Sequence, residues 1–235
     1  MTTPAATPRQ PSRRARQAQQ AMRRIAVVAA LGIGLGLLMQ GLIILLRLVG
    51  AGAAPGLLTL AELAQTVTWS VLVCTGVALG TALGKARGAL AGFIGAVFAP
   101  LALAAAKSVQ KVMLSVLDAV EQPGLISLTT VGVVRALEYG ILAWVLAWLA
   151  QRQERRLWPY ALAGGGVAVL FGGALLFLTF MLQGLDGSGR NWLALGTMAV
   201  TELGSPLGCA VVIYVAQLVA TNARLWARGS GDAKG

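Results

Sequence analysis

Histidine is absent from this chain. Without imidazole there is no His-ligated haem, no His-ligated metal and no catalytic scheme that uses imidazole as a base. Cysteine is nearly absent: Cys74 and Cys209 are the only two, and both fall inside apolar runs. They indicate no disulfide framework and read as small buried side chains in helix contacts. Charge is scarce too. Asp, Glu, Lys and Arg make up 11% of the 235 residues, whereas soluble domains carry about 25%. Of the few acids, Asp118, Asp186 and Asp232 lie outside the apolar runs and form no aspartyl pair in a membrane. Gly187-Ser188-Gly189 reads as a flexible turn rather than a nucleophile site. The Asn-Pro-Ala boxes of aquaporins and the Pro-x-acid-x-x-base signature of mitochondrial carriers are missing as well. No catalytic constellation, cofactor or metal site is expected.

What the sequence has is apolar length. Hydrophobic residues are 57% of the chain and the mean hydropathy is +0.76. Runs long enough to cross a bilayer, which takes about 20 residues, occupy roughly 25–49, 66–84, 89–106, 131–150, 160–182 and 192–220. These predict an all-α, polytopic integral membrane protein with six transmembrane helices arranged as three hairpins in residues 25–221. Residues 1–24 form a basic, Pro-broken tail with six arginines and no acid, expected to be disordered. Residues 222–235 form a C-terminal tail. The first run is longer than a signal-peptide core of about 7–15 residues, although Ala51-Gly52-Ala53 has the small residues of a cleavage site.

The net charge of +11 is explained by where the cations fall. Six spans put both ends on one side. Fourteen of the 19 Lys and Arg residues then share that side: the six tail arginines, Lys85, Arg87, Arg152, Arg155, Arg156, Arg224, Arg228 and Lys234. The positive-inside rule makes it the cytoplasmic side of a plasma (inner) membrane. The basic tail is expected to meet anionic lipid and no nucleic acid.

Residues 107–121 repeat Val109, Val112, Met113, Val116, Leu117 and Val120 at helical spacing among polar residues, an amphipathic helix. It either lies on the outer surface or prolongs the third span. Arg156-Leu157-Trp158 recurs as Arg224-Leu225-Trp226, 68 residues on, and Gly56-Leu57 recurs as Gly124-Leu125 at the same offset. A threefold repeat accounts for this, and so does the even spacing that constant bilayer thickness imposes.

The run 131–150 is the one that needs help. It carries Arg135 and Glu138, three apart and on one helix face. A central Arg costs roughly 2.5–3.5 kcal/mol on insertion, and Glu is taken as comparable. The nine Val, Leu and Ile residues of the run return roughly 0.3–0.6 kcal/mol each. The sums nearly cancel, so this helix needs neighbours that cover its charged face. The 68-residue offset sets Glu202 beside Arg135. Counting about 1.5 Å per residue from the cytoplasmic ends puts Arg135 roughly 22 Å, Glu138 roughly 18 Å and Glu202 roughly 28 Å up, about one turn apart. Arg135, Glu138 and Glu202 are therefore the candidate substrate- or ion-binding residues. A carboxylate near an Arg can alternate between a paired and a protonated state, as proton-coupled transport requires. The competing reading is a static ion pair that fixes packing. Lys107 and Lys111 are weaker candidates for an outer cationic vestibule, with snorkelling to the interface as the alternative, and Arg47 is expected to snorkel.

Gly76, Gly80 and Gly84, and Gly204 and Gly208, have the four-residue spacing that lets helices approach closely. Gly164-Gly165-Gly166 and Pro206 are expected to loosen the fifth and sixth spans. Trp144 and Trp148 form one aromatic face, while Trp69, Trp158, Trp192 and Trp226 are read as interfacial anchors. Two functions lead, with an enzyme third: a small-solute or ion permease or channel-like protein with its site between the fourth and sixth helices, or a non-catalytic membrane subunit. The second implies a membrane-protein partner or a homo-oligomer held by the Gly-rich faces.

Overall fold

A computed structural model describes residues 13–51, 56–83, 88–119, 127–185 and 191–232. All regular structure among them is helical: α1 (Arg13–Ala51), α2 (Leu58–Leu83), α3 (Gly88–Val116), α4 (Leu128–Gln151), α5 (Leu157–Val167), a π-helical turn (Ala168–Gly172), α6 (Gly173–Leu185) and α7 (Trp192–Asp232). The segment α5–π–α6 is one rod, so six rods are long and apolar enough to cross a membrane, as a multi-pass membrane protein requires. Gly84, Lys85, Arg87, Pro123, Asp186, Arg190 and residues 1–12 and 233–235 lie outside the described residues.

The helices outrun the apolar stretches that mark them. Helix α1 begins at Arg13, so residues 13–24 are helical where a disordered tail was expected. The segment is Ala, Arg, Gln and one Met, all good helix formers, and it extends a helix already nucleated in the apolar run. At the other end α7 continues through residues 222–232, which were read as tail. The amphipathic segment does not form a separate helix. It prolongs α3 without a break to Val116, and Asp118, at φ 50°, then turns the chain out of the helix while the Ala119 amide donates to the Leu114 carbonyl. Helix α4 opens with the Ser127 hydroxyl accepting from the Thr130 amide and closes the way α3 does, with Gln153 at φ 53°.

Helix α2 starts at Leu58, eight residues before its expected start at residue 66. The added turns hold Glu62, a charge met by residues on another helix. Arg47 of α1 grips Glu62 with two hydrogen bonds, 2.6 and 2.9 Å, and the Gln40 amide donates to the same carboxylate at 3.4 Å. Arg47 thus does not simply snorkel; it is one half of a bidentate pair. Both side chains are about a third exposed, 35% and 32%. Glu62→Gln is therefore expected to shift stability by no more than about 1 kcal/mol in a thermal-unfolding measurement of the purified protein.

Packing runs through glycines, and the glycines show who neighbours whom. A Cβ at Gly36 would lie 2.7 Å from the Val67 Cα, and one at Gly32 would lie 3.0 Å from the Val71 Cα, which seats α1 on α2. Gly76 and Gly80 receive Phe98 and the Ala91 backbone of α3. Gly95 of α3 lies on the Tyr139 carbonyl of α4. Gly204 and Gly208 of α7 receive Met39 and Leu35 of α1, and Gly164 of α5 lies on the Pro206–Leu207 backbone of α7. In each pair the residue numbers run in opposite senses. The interior these contacts enclose holds Tyr139, Leu142, Leu146, Val77, Tyr160 and Ile213, all fully buried. Outward stand Leu38, Phe93, Leu101, Val169 and Phe177, all exposed. An exposed surface this apolar, around a core that holds charge, suits lipid rather than water.

Candidate functional site

The charged residues of α4 meet their partner in the middle of that core. Arg135 donates through one guanidinium nitrogen to Glu138 Oε2 at 2.6 Å and through the other to Glu202 Oε1 of α7 at 2.5 Å. All three side chains are buried: Glu138 is 0% exposed, Arg135 4% and Glu202 6%. Arg135 reaches Glu202 across the turn that separated them on the sequence count. A helical side chain leans toward its helix's N-terminus, and Arg is long enough to bridge about one turn in that direction.

Aromatic residues complete the shell. The guanidinium lies 5.4 Å from the Trp69 ring centroid of α2, a cation–π contact. Trp69 meets Tyr139 edge to face at 5.5 Å and 80°. Trp69 was read as an interfacial anchor, but it is 7% exposed and sits in the core. The early start of α2 is what carries it there, eleven residues in from Leu58. Trp158 and Trp192 are exposed, as anchors are. Trp148, also exposed, stacks under the Arg152 guanidinium at 3.8 Å. Cys74 of α2 and Cys209 of α7 are both free thiols buried in the same core.

The charges do not balance. Two carboxylates share one guanidinium, and only one oxygen of each is engaged. Glu138 Oε1, Glu202 Oε2 and the Tyr139 hydroxyl are buried without a hydrogen-bond partner. The cluster also lies where two helices leave regular geometry. Pro206 has no N–H to give the carbonyl four residues back, which is that of Glu202. Against that same carbonyl lies Gly172, the last residue of the π turn, where a Cβ would fall 2.7 Å from the oxygen. Wide turns of this kind recur at functional positions.

Not every candidate belongs here. Lys107 and Lys111 lie toward the C-terminal end of α3, where Lys107 donates to Gln110 at 2.8 Å and Lys111 is exposed. The four described packing glycines, Gly76, Gly80, Gly204 and Gly208, face helices of the same chain. Reading the sequence missed Trp69 and Tyr139 as part of the shell. The one available signal was that Tyr139 follows Glu138 directly. No protein-family model, no curated protein and no solved structure matches the chain.

Proposed function

We propose that this protein is a small-solute or ion permease of the cytoplasmic membrane, with both ends cytoplasmic and the Glu138–Arg135–Glu202 cluster between α4 and α7 as its site. The observation that carries the reading is the unequal charge of the cluster. A device that only fixes packing is served by a matched ion pair, or by apolar residues of similar volume, which are often as stabilising. A second buried carboxylate with a free oxygen adds desolvation cost with no packing gain. Ionisable groups of this kind inside a membrane protein mark ion and substrate paths. The interruptions at Pro206 and the π turn put bendable backbone beside the charge, as discontinuous helices do in transporters.

The described glycines that a membrane-subunit reading would use, Gly76, Gly80, Gly204 and Gly208, lie against the chain's own helices, which favours the permease over the subunit. The basic residues of the N-terminal segment suit anionic lipid on the cytoplasmic face.

Proteoliposomes holding the full chain are expected to give currents on a solid-supported membrane with at least one of sodium, potassium, chloride or a pH step. Glu138→Gln, folded and inserted, is expected to abolish them. Unchanged currents in that variant remove the proposal. Reporter fusions at the two ends are expected to mark the same, cytoplasmic side.

A further inference from the structure

We propose that at neutral pH the cluster holds one exchangeable proton, carried on the carboxylate oxygens that Arg135 leaves free, Glu138 Oε1 and Glu202 Oε2. The argument is a count of charge. One guanidinium offsets one carboxylate, and the second leaves the buried cluster at −1. A buried ion without a counter-charge costs several kcal/mol, and in an apolar interior such a group is neutralised instead.

Among the described residues, no second cation pairs with either carboxylate. Helix α6 and the π turn have no titratable residue. Helix α5 offers only Tyr160, whose hydroxyl donates to Gln217 at 2.8 Å. The lysines of α3 lie toward its C-terminal end, and the residue it sets against Tyr139 is Gly95. Helix α1 presents Met39 and Leu35 to α7; its Arg47 is engaged by Glu62 of α2, and its Arg24 donates to Thr81 of α2 at 3.4 Å. Beyond Glu62, the titratable residue of α2 is Cys74, buried in the core as Cys209 of α7 is; both are thiols rather than cations.

A metal cation fits poorly. It needs several oxygens around it, and the guanidinium already stands between the two carboxylates. A proton needs a single oxygen. It arrives on a hydronium ion of the solvent: that ion's O–H bond breaks to leave water, the carboxyl O–H bond forms, no electrons are exchanged, and the cluster passes from −1 to 0. Either carboxylate can hold it, with the other left paired to Arg135. That this is the coupling ion of transport rests on the permease reading; that it is bound does not.

Infrared spectroscopy of the full chain in nanodiscs at neutral pH tests this, since exposed carboxyl groups are ionised there. The expected result is a C=O stretch of a protonated carboxyl that shifts on exchange into D2O and on labelling with carbon-13 glutamate. Glu138→Gln and Glu202→Gln should each abolish the whole band, because the remaining carboxylate then matches Arg135. Arg135→Gln, with two unpaired carboxyls, should about double it. A wild-type protein without the band overturns the proposal, as does a band that survives either Gln variant. The band without any current keeps the proton and removes the permease. Currents without the band do the reverse.

Discussion

Replacing Arg135 by methionine is expected to cost about 3–5 kcal/mol of stability, the usual penalty for removing one partner from a buried ion cluster. Both carboxylates lose the guanidinium nitrogens that bind them, and Trp69 loses the cation 5.4 Å from its ring. Neither carboxylate can turn to water, since both are buried. The triple variant Arg135→Met, Glu138→Leu, Glu202→Leu separates the cost of imbalance from the worth of the cluster. Apolar side chains of similar volume often equal or exceed a buried ion pair in stability, so this variant should unfold near the wild-type temperature and carry no current. Thermal unfolding of the purified proteins in one detergent measures both. A wild-type melting temperature for Arg135→Met would mean that the cluster does not hold α4 to α7.

The second large effect is steric. Gly95→Val is expected to cost about 1–3 kcal/mol, the range for overpacking a filled core. A Cβ at Gly95 would run into the Tyr139 carbonyl and come 2.7 Å from the Ala143 Cβ. The obstacle is largely backbone, which cannot swing aside, so α3 must move off α4. Tyr139 and the Trp69 ring it touches then lose their place beside Arg135. Gly34→Val is the control: it sits on α1 with nothing within 4 Å of a Cβ, and should melt with the wild type. The two variants add the same side chain to the same residue type, so a difference in melting temperature isolates contact.

The spans were readable because bilayer thickness leaves a mark about 20 residues long. Arg135 and Glu138 were readable because they interrupt one. Glu202 was found by an offset, and the gap of about one turn that helix counting left between it and Arg135 is closed by the reach of the arginine side chain. The start of α2 and the place of Trp69 were missed for a different reason. A hydropathy window sees one segment at a time, and the charge of Glu62 is cancelled by Arg47 on another helix. With the second span begun at residue 66, Trp69 looked like an end when it is an interior. The glycine spacing gave the helix faces but not their partners, since spacing has no information about what lies opposite. The helix over residues 13–24 was hidden by polarity, which argues for a tail, although the same residues have high helical propensity.

Pro206 and the π turn lie on either side of the Glu202 carbonyl. The consequence is that the ladder of α7 lacks one donor and the rod beside it is wound wider at the same height. The buried charge thus sits where the regular helical bonding of both rods changes, so a bend there would alter the Arg135–Glu202 contact.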